Sequence, residues 1–564
     1  MKNFAGTPGG SSAILTWDAN VESDLAYYMV AKSTTDNFTP TDADTVGRTT
    51  ATSYTASGLE NGTTYYFRVK AVNSAGQAGG YSDDISVVPL YNGPIWYVAV
   101  DGSNSNEGSE SAPLGDLRSA IEHAQNGHTI MMQAGTYYGE NNRNLSIQGK
   151  TLTIQGQGMN ETIIDAESVS QIFYLSDSGV YKISDMTIKG GRTEHNGGGV
   201  EVAHNTRADF VNVKFLNNHA AYGGGLFIYG SKEDDPHSIE LKNCIFEGNS
   251  ATVWSNADDG TRWGGWGGGL YIYLRNLESQ VIVNGCQFIR NEAHGYEDRG
   301  SGGGGINFQN GVIHVINSLF VGNRSVVDNA FCSETDDGYT YCPWARAGAM
   351  RLNPYVWDDE NEIAIGTTIS LINNTIVDNE AIIYGSDDGL EANGGGVQYI
   401  AIQGSGINNK GNVVENNEDK FSFAVTSEAD RSKIGVGLQG KNADVASNLV
   451  MFNNIITNNR AIDPKEFDWY KQNIIRFNAG VETMSSNHNL LEFQESMGYD
   501  FAGPNDFETD PGFKDFQNGD FSLHRFSNSI ERGTLEFEGF TAPADDITGK
   551  TRPIPPNTPP DVGA

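Results

Sequence analysis

The sequence predicts an all-β chain, a small sandwich followed by a long solenoid, and three observations carry that prediction. Glycine makes up 68 of the 564 residues, ~12% where ~7% is usual. The hydrophobic share is only 38%, too little for large helical domains. Most telling, a short motif recurs, an apolar residue with asparagine three positions later: Phe215/Asn218, Phe246/Asn249, Phe288/Asn291, Phe320/Asn323, Ile376/Asn379, Val414/Asn417 and Ile456/Asn459. Ile188/Gly191 is a degenerate first copy.

After each copy comes a loop of variable length, and then small residues opening an apolar strand. These starts are Gly198-Gly199-Val200, Gly224-Gly225-Leu226, Gly268-Gly269-Leu270, Gly304-Gly305-Ile306, Gly348-Ala349-Met350, Gly395-Gly396-Val397, Gly435-Val436-Gly437-Leu438 and Ala479-Gly480-Val481. A fixed coil with insertions concentrated on one face is how solenoids vary. Stacking supplies the physics. The apolar position builds a buried ladder, asparagine bonds to its counterparts above and below, and glycine supplies the backbone angles of a tight corner. A helical reading fails because glycine and asparagine punctuate every segment.

Residues 1–90 read differently, as roughly seven short strands with turn signals about every ten residues, among them Ala13–Trp17, Tyr27–Ala31 and Tyr66–Val72. Leu59-Glu60-Asn61-Gly62-Thr63-Thr64-Tyr65, with Trp17 upstream, resembles a fibronectin type III domain. The resemblance implies a β-sandwich in which the tryptophan fills the core and the tyrosine packs at a corner. With no cysteine and no Arg-Gly-Asp, the module reads as a spacer or positioning element. Residues 91–94 form the linker.

From Ile95 a strand, a turn-rich stretch and helical spacing at Leu117, Ile121 and Ala124 follow. Tyr97–Ser103, Pro113, that helix, Gly127–Ile130 and Gly135–Tyr137 resemble the opening segment of secreted right-handed parallel β-helix proteins, whose helix caps the hydrophobic tube. Over about 180–480, the pairing of Phe-x-x-Asn with Gly-Gly-apolar resembles the repeats of polymorphic outer-membrane proteins and related bacterial surface β-helices. The tail, with Thr509-Asp510-Pro511-Gly512-Phe513 and Gly519-Asp520-Phe521-Ser522-Leu523, resembles the C-terminal segment of secreted bacterial β-helix proteins. The expected organisation is therefore a right-handed parallel β-helix over 95–485, of about ten coils, closed by 486–564.

A formal charge of −35, from 36 basic and 71 acidic residues, excludes an electrostatic nucleic-acid binder. No run of eighteen apolar residues occurs and no signal-like segment opens the chain, so no membrane insertion is expected. Of the four cysteines, Cys332 and Cys342 are spaced to close a small disulfide, and Cys244 and Cys286 occupy matching, buried places in two repeats.

The loops between asparagine and glycine hold Trp254, Trp263, Trp266, Tyr296, Tyr339, Trp344, Arg346 and Tyr384, candidates for stacking and pairing with sugar rings. Four of these loops also carry an acidic turn: Asp258-Asp259-Gly260, Glu297-Asp298-Arg299-Gly300, Asp336-Asp337-Gly338 and Asp387-Asp388-Gly389. If the turns stack, their carboxylates need a cation, and Ca²⁺ suits such a set; the alternative is solvated turns. The expected function is binding or adhesion at the bacterial cell surface or outside the cell, to a glycan or cell-surface polysaccharide. Two alternatives stand beside it. One is a polysaccharide lyase, with Arg346, Arg299, His294, Tyr384 and Lys433 as residues of suitable type, or a glycoside hydrolase using two carboxylates. The other is a structural surface protein that self-associates.

Overall fold

A computed structural model describes residues 2–231, 234–255, 262–276, 278–334, 340–353, 355–358, 363–385, 390–393, 396–399, 448–457, 459–462, 484–487, 489–491, 505–507, 510–515, 520–524, 527, 529–530, 532–546, 550 and 561–563. The chain divides into two compact units, Met1–Gln133 and Ala134–Ala564.

In the first unit the alternating apolar positions of 1–90 form two antiparallel sheets. Ala5–Gly9, Ser12–Thr16 and Ser53–Ser57 make one, and Thr45–Thr49, Leu25–Ser33, Tyr65–Asn73 and Ile85–Val87 the other. Their inner faces bury Leu15, Trp17, Tyr28, Val30, Phe67 and Val69 together. The Tyr65 hydroxyl accepts from the Glu60 backbone N–H at 3.1 Å, the corner that the sequence implied. Beyond the sandwich, Ile95–Val98 pairs in parallel with His128–Met132. The expected helix runs Leu117–His123, N-capped by Asp116, whose carboxylate accepts from Ser119 N at 2.9 Å.

The second unit is a parallel β-helix. Strands of successive coils form three parallel sheets, the third starting at His219–Ala220, so that among the described residues neighbouring coils hydrogen-bond to one another. One sheet holds the apolar motif position in register from Ile188 through Phe215, Phe246, Phe288, Phe320, Ile376 and Ile456. The four phenylalanine rings stack 4.6–4.7 Å apart and within 8° of parallel, each pair adding ~0.5–1.5 kcal/mol beyond burial. The motif asparagines are buried beside them. Asn218, Asn249, Asn291, Asn323 and Asn379 each donate a backbone N–H to the next asparagine's Oδ1 at 2.9–3.0 Å, ending at Asn459. Gly191, the degenerate copy, begins the same ladder, its N–H reaching Asn218 Oδ1 at 2.8 Å. Val414/Asn417 lies outside the described residues.

The glycine pairs serve a purpose other than the expected corner angles. A Cβ at Gly198, Gly224, Gly268 or Gly304 would come within 2.4–2.5 Å of the next coil's carbonyl oxygen, so the backbones themselves are too close for a side chain. The positive φ belongs to the residue before each pair, as at Gly267 (φ 70°).

A second polar ladder runs parallel to the first. Cys244 N–H donates to Cys286 Sγ at 3.4 Å, and the series continues through Ser318, Asn374, Asn454 and Asn489 to the Asp506 carboxylate. The two cysteines are buried and free, whereas Cys332 and Cys342 are disulfide-bonded. Much of the extra chain leaves between asparagine and glycine, as in the hairpin Trp254–Ser255/Arg262–Trp263. One insertion departs elsewhere, the hairpin Tyr355–Asp358/Ile363–Gly366 that follows an apolar strand. In the tail, Phe537, Phe540 and Ala542 pack on Ile372 and Phe452, and Val562 packs on Ile455 and Leu490.

Candidate functional site

The strands opened by the glycine pairs form one of the three sheets, which runs through Val200–Val202, Leu226–Gly230, Leu270–Leu274, Ile306–Gln309, Met350–Asn353 and Val397–Tyr399. Strand alternation sends Val200, Leu226, Leu270, Ile306 and Met350 into the core, each fully buried. The residue after each must then face outward. These residues stand in register as Tyr174, Glu201, Phe227, Tyr271, Asn307 and Arg351. Two positions on, a second outward row holds Tyr229, Tyr273, Gln309 and Asn353.

The turn just before the glycines supplies a neighbouring row. Asn196, Tyr222, Trp266, Gly302, Arg346 and Asn393 pair from coil to coil. The rows meet at several rungs. Asn196 Nδ2 donates to Glu201 Oε1 at 3.1 Å, the Tyr222 and Tyr271 rings stack 5.6 Å apart, and the Arg351 guanidinium lies 4.8 Å from the Trp266 ring. Gly302 keeps that last contact open. A Cβ there would come within 2.8 Å of both the Trp266 ring and the Arg351 side chain.

Together the two rows form a strip, the trough, with aromatic rings in its middle, Glu201 toward one end and Arg346 and Arg351 toward the other, in which Phe227, Tyr271, Asn307 and Arg351 are each less than a tenth exposed. Burial raises the Glu201 carboxyl above its usual range, opposed by the Asn196 hydrogen bond. Burial likewise holds Tyr271 and Tyr222 as neutral phenols. Stacking surfaces, amides and a guanidinium are recognition groups for hydroxyl-rich ligands.

A second polar group lies on the third sheet, where His219, Ser250, Glu292, Arg324, Glu380 and Arg460 are in register. His219 Nδ1 and Ser250 Oγ share a hydrogen bond at 2.7 Å. Burial, with Arg192 and His294 adding to it, pushes His219 down to about 4. His294 lies 3.4 Å from Glu292 and 3.0 Å from Asp328, and the Glu292 hydrogen bond first and then Asp328 raise its pKa. The Trp254 ring packs on His219 and beneath Arg192.

Of the residues expected from sequence, Trp266 and Arg346 come together on the trough, with Trp344 4.0 Å beneath the Arg346 guanidinium. Trp254 and Trp263 instead face each other across a hairpin beside His219, and Trp263 Nε1 donates to Glu194 O at 3.1 Å. Tyr296 and Tyr384 are exposed, the first accepting from Asn329 Nδ2 at 3.1 Å. Glu297 and Asp298 both pair with Arg262, the latter at 2.8 Å. Tyr339, Asp258, Asp259, Asp336, Asp337, Asp387, Asp388 and Lys433 lie outside the described residues. Among the described residues no group of three or more His, Cys, Asp or Glu is placed to hold a metal ion.

Sequence reasoning missed Tyr222, Tyr271, Asn307, Arg351 and Asn353. Their signal was positional. They sit one place before the glycines, or one or three places after the first core residue, where the repeats differ from copy to copy.

Comparison with known proteins places a fibronectin type III domain at residues 3–88. A family described as a protein of unknown function, DUF1565, matches residues 100–333. The uncharacterized protein YwoF of Bacillus subtilis (strain 168) is 30% identical over 105 residues, 17% of this chain and 22% of that protein. The chain thus spans about a fifth of the length of that relative. Among solved structures, pectate lyase Pel9A is similar at 14% identity over 81% of this chain and 96% of its own, with a TM-score of 0.35. A rhamnogalacturonan lyase is similar at 13% identity over 82% and 97%, with a TM-score of 0.33. The sixth fibronectin type III domain of human fibronectin type III domain containing protein 3 covers 16% of this chain and 81% of its own, at 24% identity and a TM-score of 0.14. No helix among the described residues is long and apolar enough to cross a membrane.

Proposed function

We propose that the solenoid binds glycans along the trough, as part of an extracellular or cell-surface protein. One observation carries this reading: the turn row and the sheet row converge so that Trp266, Tyr222, Tyr271 and Phe227 pack together with Arg351 and Asn307 in one strip. Coils stack ~4.8 Å apart, so the rungs repeat on the scale of successive sugar rings. Amphipathic rings present an apolar plate with a polar rim, and the amides and guanidinium fix orientation. A glycan array with the full chain and Trp266→Ala tests the proposal. The expected result is a small set of oligosaccharides whose signal falls at least tenfold, about 1.4 kcal/mol, in the variant. Signals indifferent to Trp266 would sink it.

A second reading, a polysaccharide lyase, is favoured by His219 and His294, whose surroundings move them in opposite directions and so suit a base and an acid. It predicts rising ultraviolet absorbance from unsaturated products on a polysaccharide panel, lost in His294→Gln.

A further inference from the structure

Two asparagines on the trough are buried with part of their hydrogen-bonding capacity unused. Asn307 is fully buried. Its Oδ1 accepts from Arg351 Nη1 at 3.2 Å, while its Nδ2 donor has no partner among the described residues. Asn353 is only 8% exposed, and its Oδ1 acceptor has no partner among the described residues. Both face outward with Arg351, since Asn307 and Arg351 are in register and Asn353 lies two residues beyond Arg351 on the same strand. The unpaired donor and acceptor therefore stand on diagonal positions, separated by one ~4.8 Å rung and ~6.6 Å along the strand. A ligand group between them must offer an acceptor to one side and a donor to the other.

That requirement discriminates among ligand groups. A carboxylate offers only acceptors and would set an oxygen against Asn353 Oδ1. An ammonium offers only donors and would oppose both Asn307 Nδ2 and the Arg351 guanidinium. A secondary amide offers both, with a C=O for Asn307 and an N–H for Asn353. The Trp266 ring, which Arg351 brings to this rung at 4.8 Å, offers an apolar surface for its methyl group. Net charge points the same way, because a chain at −35 repels polyanionic glycans.

We infer that Asn307, Arg351 and Asn353 form a pocket for the acetamido group of an N-acetylhexosamine in an uncharged glycan. This rests on the glycan-binding reading of the trough and names its substrate class.

The test is isothermal titration of the full chain with a β-1,4-linked N-acetylglucosamine tetramer, the matching glucose tetramer and a tetragalacturonate. The variants are Asn353→Leu, Asn307→Leu and Trp266→Ala, each checked by its melting temperature. The expected result is at least tenfold tighter binding of the acetylated tetramer than of the glucose tetramer. Asn353→Leu should abolish that preference while keeping the wild-type melting temperature, because an isosteric apolar side chain removes an unpaired acceptor. Should Asn307→Leu fail to fold, Asn353→Leu carries the test alone. Equal, Trp266-dependent binding of both neutral tetramers would overturn the pocket and leave the glycan-binding reading standing. Preference for the galacturonate would overturn it in favour of an anion site. Absence of binding by all three, with no hit on the array, would overturn both.

Discussion

Arg351 meets Trp266 across Gly302: the guanidinium lies 4.8 Å from the ring, and a Cβ on the intervening glycine would press to within 2.8 Å of each. The contact joins a turn residue on one coil to a strand residue two coils further along, so it ties the two rows of the trough together. Gly302→Ala should separate the pair. The expected outcome is a loss of glycan affinity at least as large as that of Trp266→Ala, with a stability loss of ~1–3 kcal/mol from overpacking. Titration calorimetry and denaturant unfolding read the two effects separately.

The asparagine ladder makes a prediction about the fold itself. Asn291 Oδ1 accepts from both the backbone N–H and the Nδ2 of Asn249, at 3.0 and 2.9 Å, and its own Nδ2 donates to Phe246 O and Asn323 Oδ1. Asn291→Ala takes the acceptor from two buried hydrogens of Asn249, the backbone N–H and one of the two on Nδ2, whose other still reaches Phe215 O at 2.9 Å. At ~1–3 kcal/mol for each, a loss of ~2–6 kcal/mol is expected in denaturant unfolding. A loss under 1 kcal/mol would mean that the ladder follows the fold without holding it.

The cysteines give a chemical check. Burial, reinforced by Cys286 alongside, pushes the Cys244 thiol well above its usual range, and neither residue is exposed. Native protein should therefore show no thiol reactive toward a disulfide reagent. After unfolding without reductant, two thiols should react, because Cys332 and Cys342 remain paired.

The solenoid was legible in the sequence because stacking forces equivalent residues to recur. The same logic explains what was hidden. Along the second ladder the backbone N–H needs only some acceptor on the next coil, so Cys286, Ser318, Asn374 and Asn454 serve in turn and leave no common letter. The trough is the extreme case. Its outward positions carry Glu201, Phe227, Tyr271, Asn307 and Arg351, and a search for sameness passes over residues whose role depends on differing. Trp266 and Arg346 were found because large aromatic and basic side chains stand out in a loop. Arg262, which neutralises Glu297 and Asp298, could not be found, because that pairing depends on how a hairpin folds onto the next coil.

The two histidines of the third sheet predict opposite responses to pH. Glu292 and Asp328 raise His294 above the ordinary 6.5, so its contribution to stability is full below 6.5 and fades as pH rises through the folded value. Glu292 is lowered from 4.5, chiefly by the His294 hydrogen bond, so its contribution is full above 4.5 and fades as pH falls through its folded value. The pair therefore stabilises most between about 4.5 and 6.5. His219 acts the other way. Held neutral down to about 4 against an ordinary 6.5, it makes folding less favourable as pH falls between those values, because the unfolded chain takes up a proton that the native state refuses. Melting temperatures measured from pH 4 to 8 should separate these effects. His219→Gln should flatten the loss on the acid side below pH 6.5. His294→Gln should lower stability most between pH 5 and 6.5 and have its smallest effect at pH 8. Matching profiles for the two variants would mean that the surroundings of one histidine have been assigned the wrong sign.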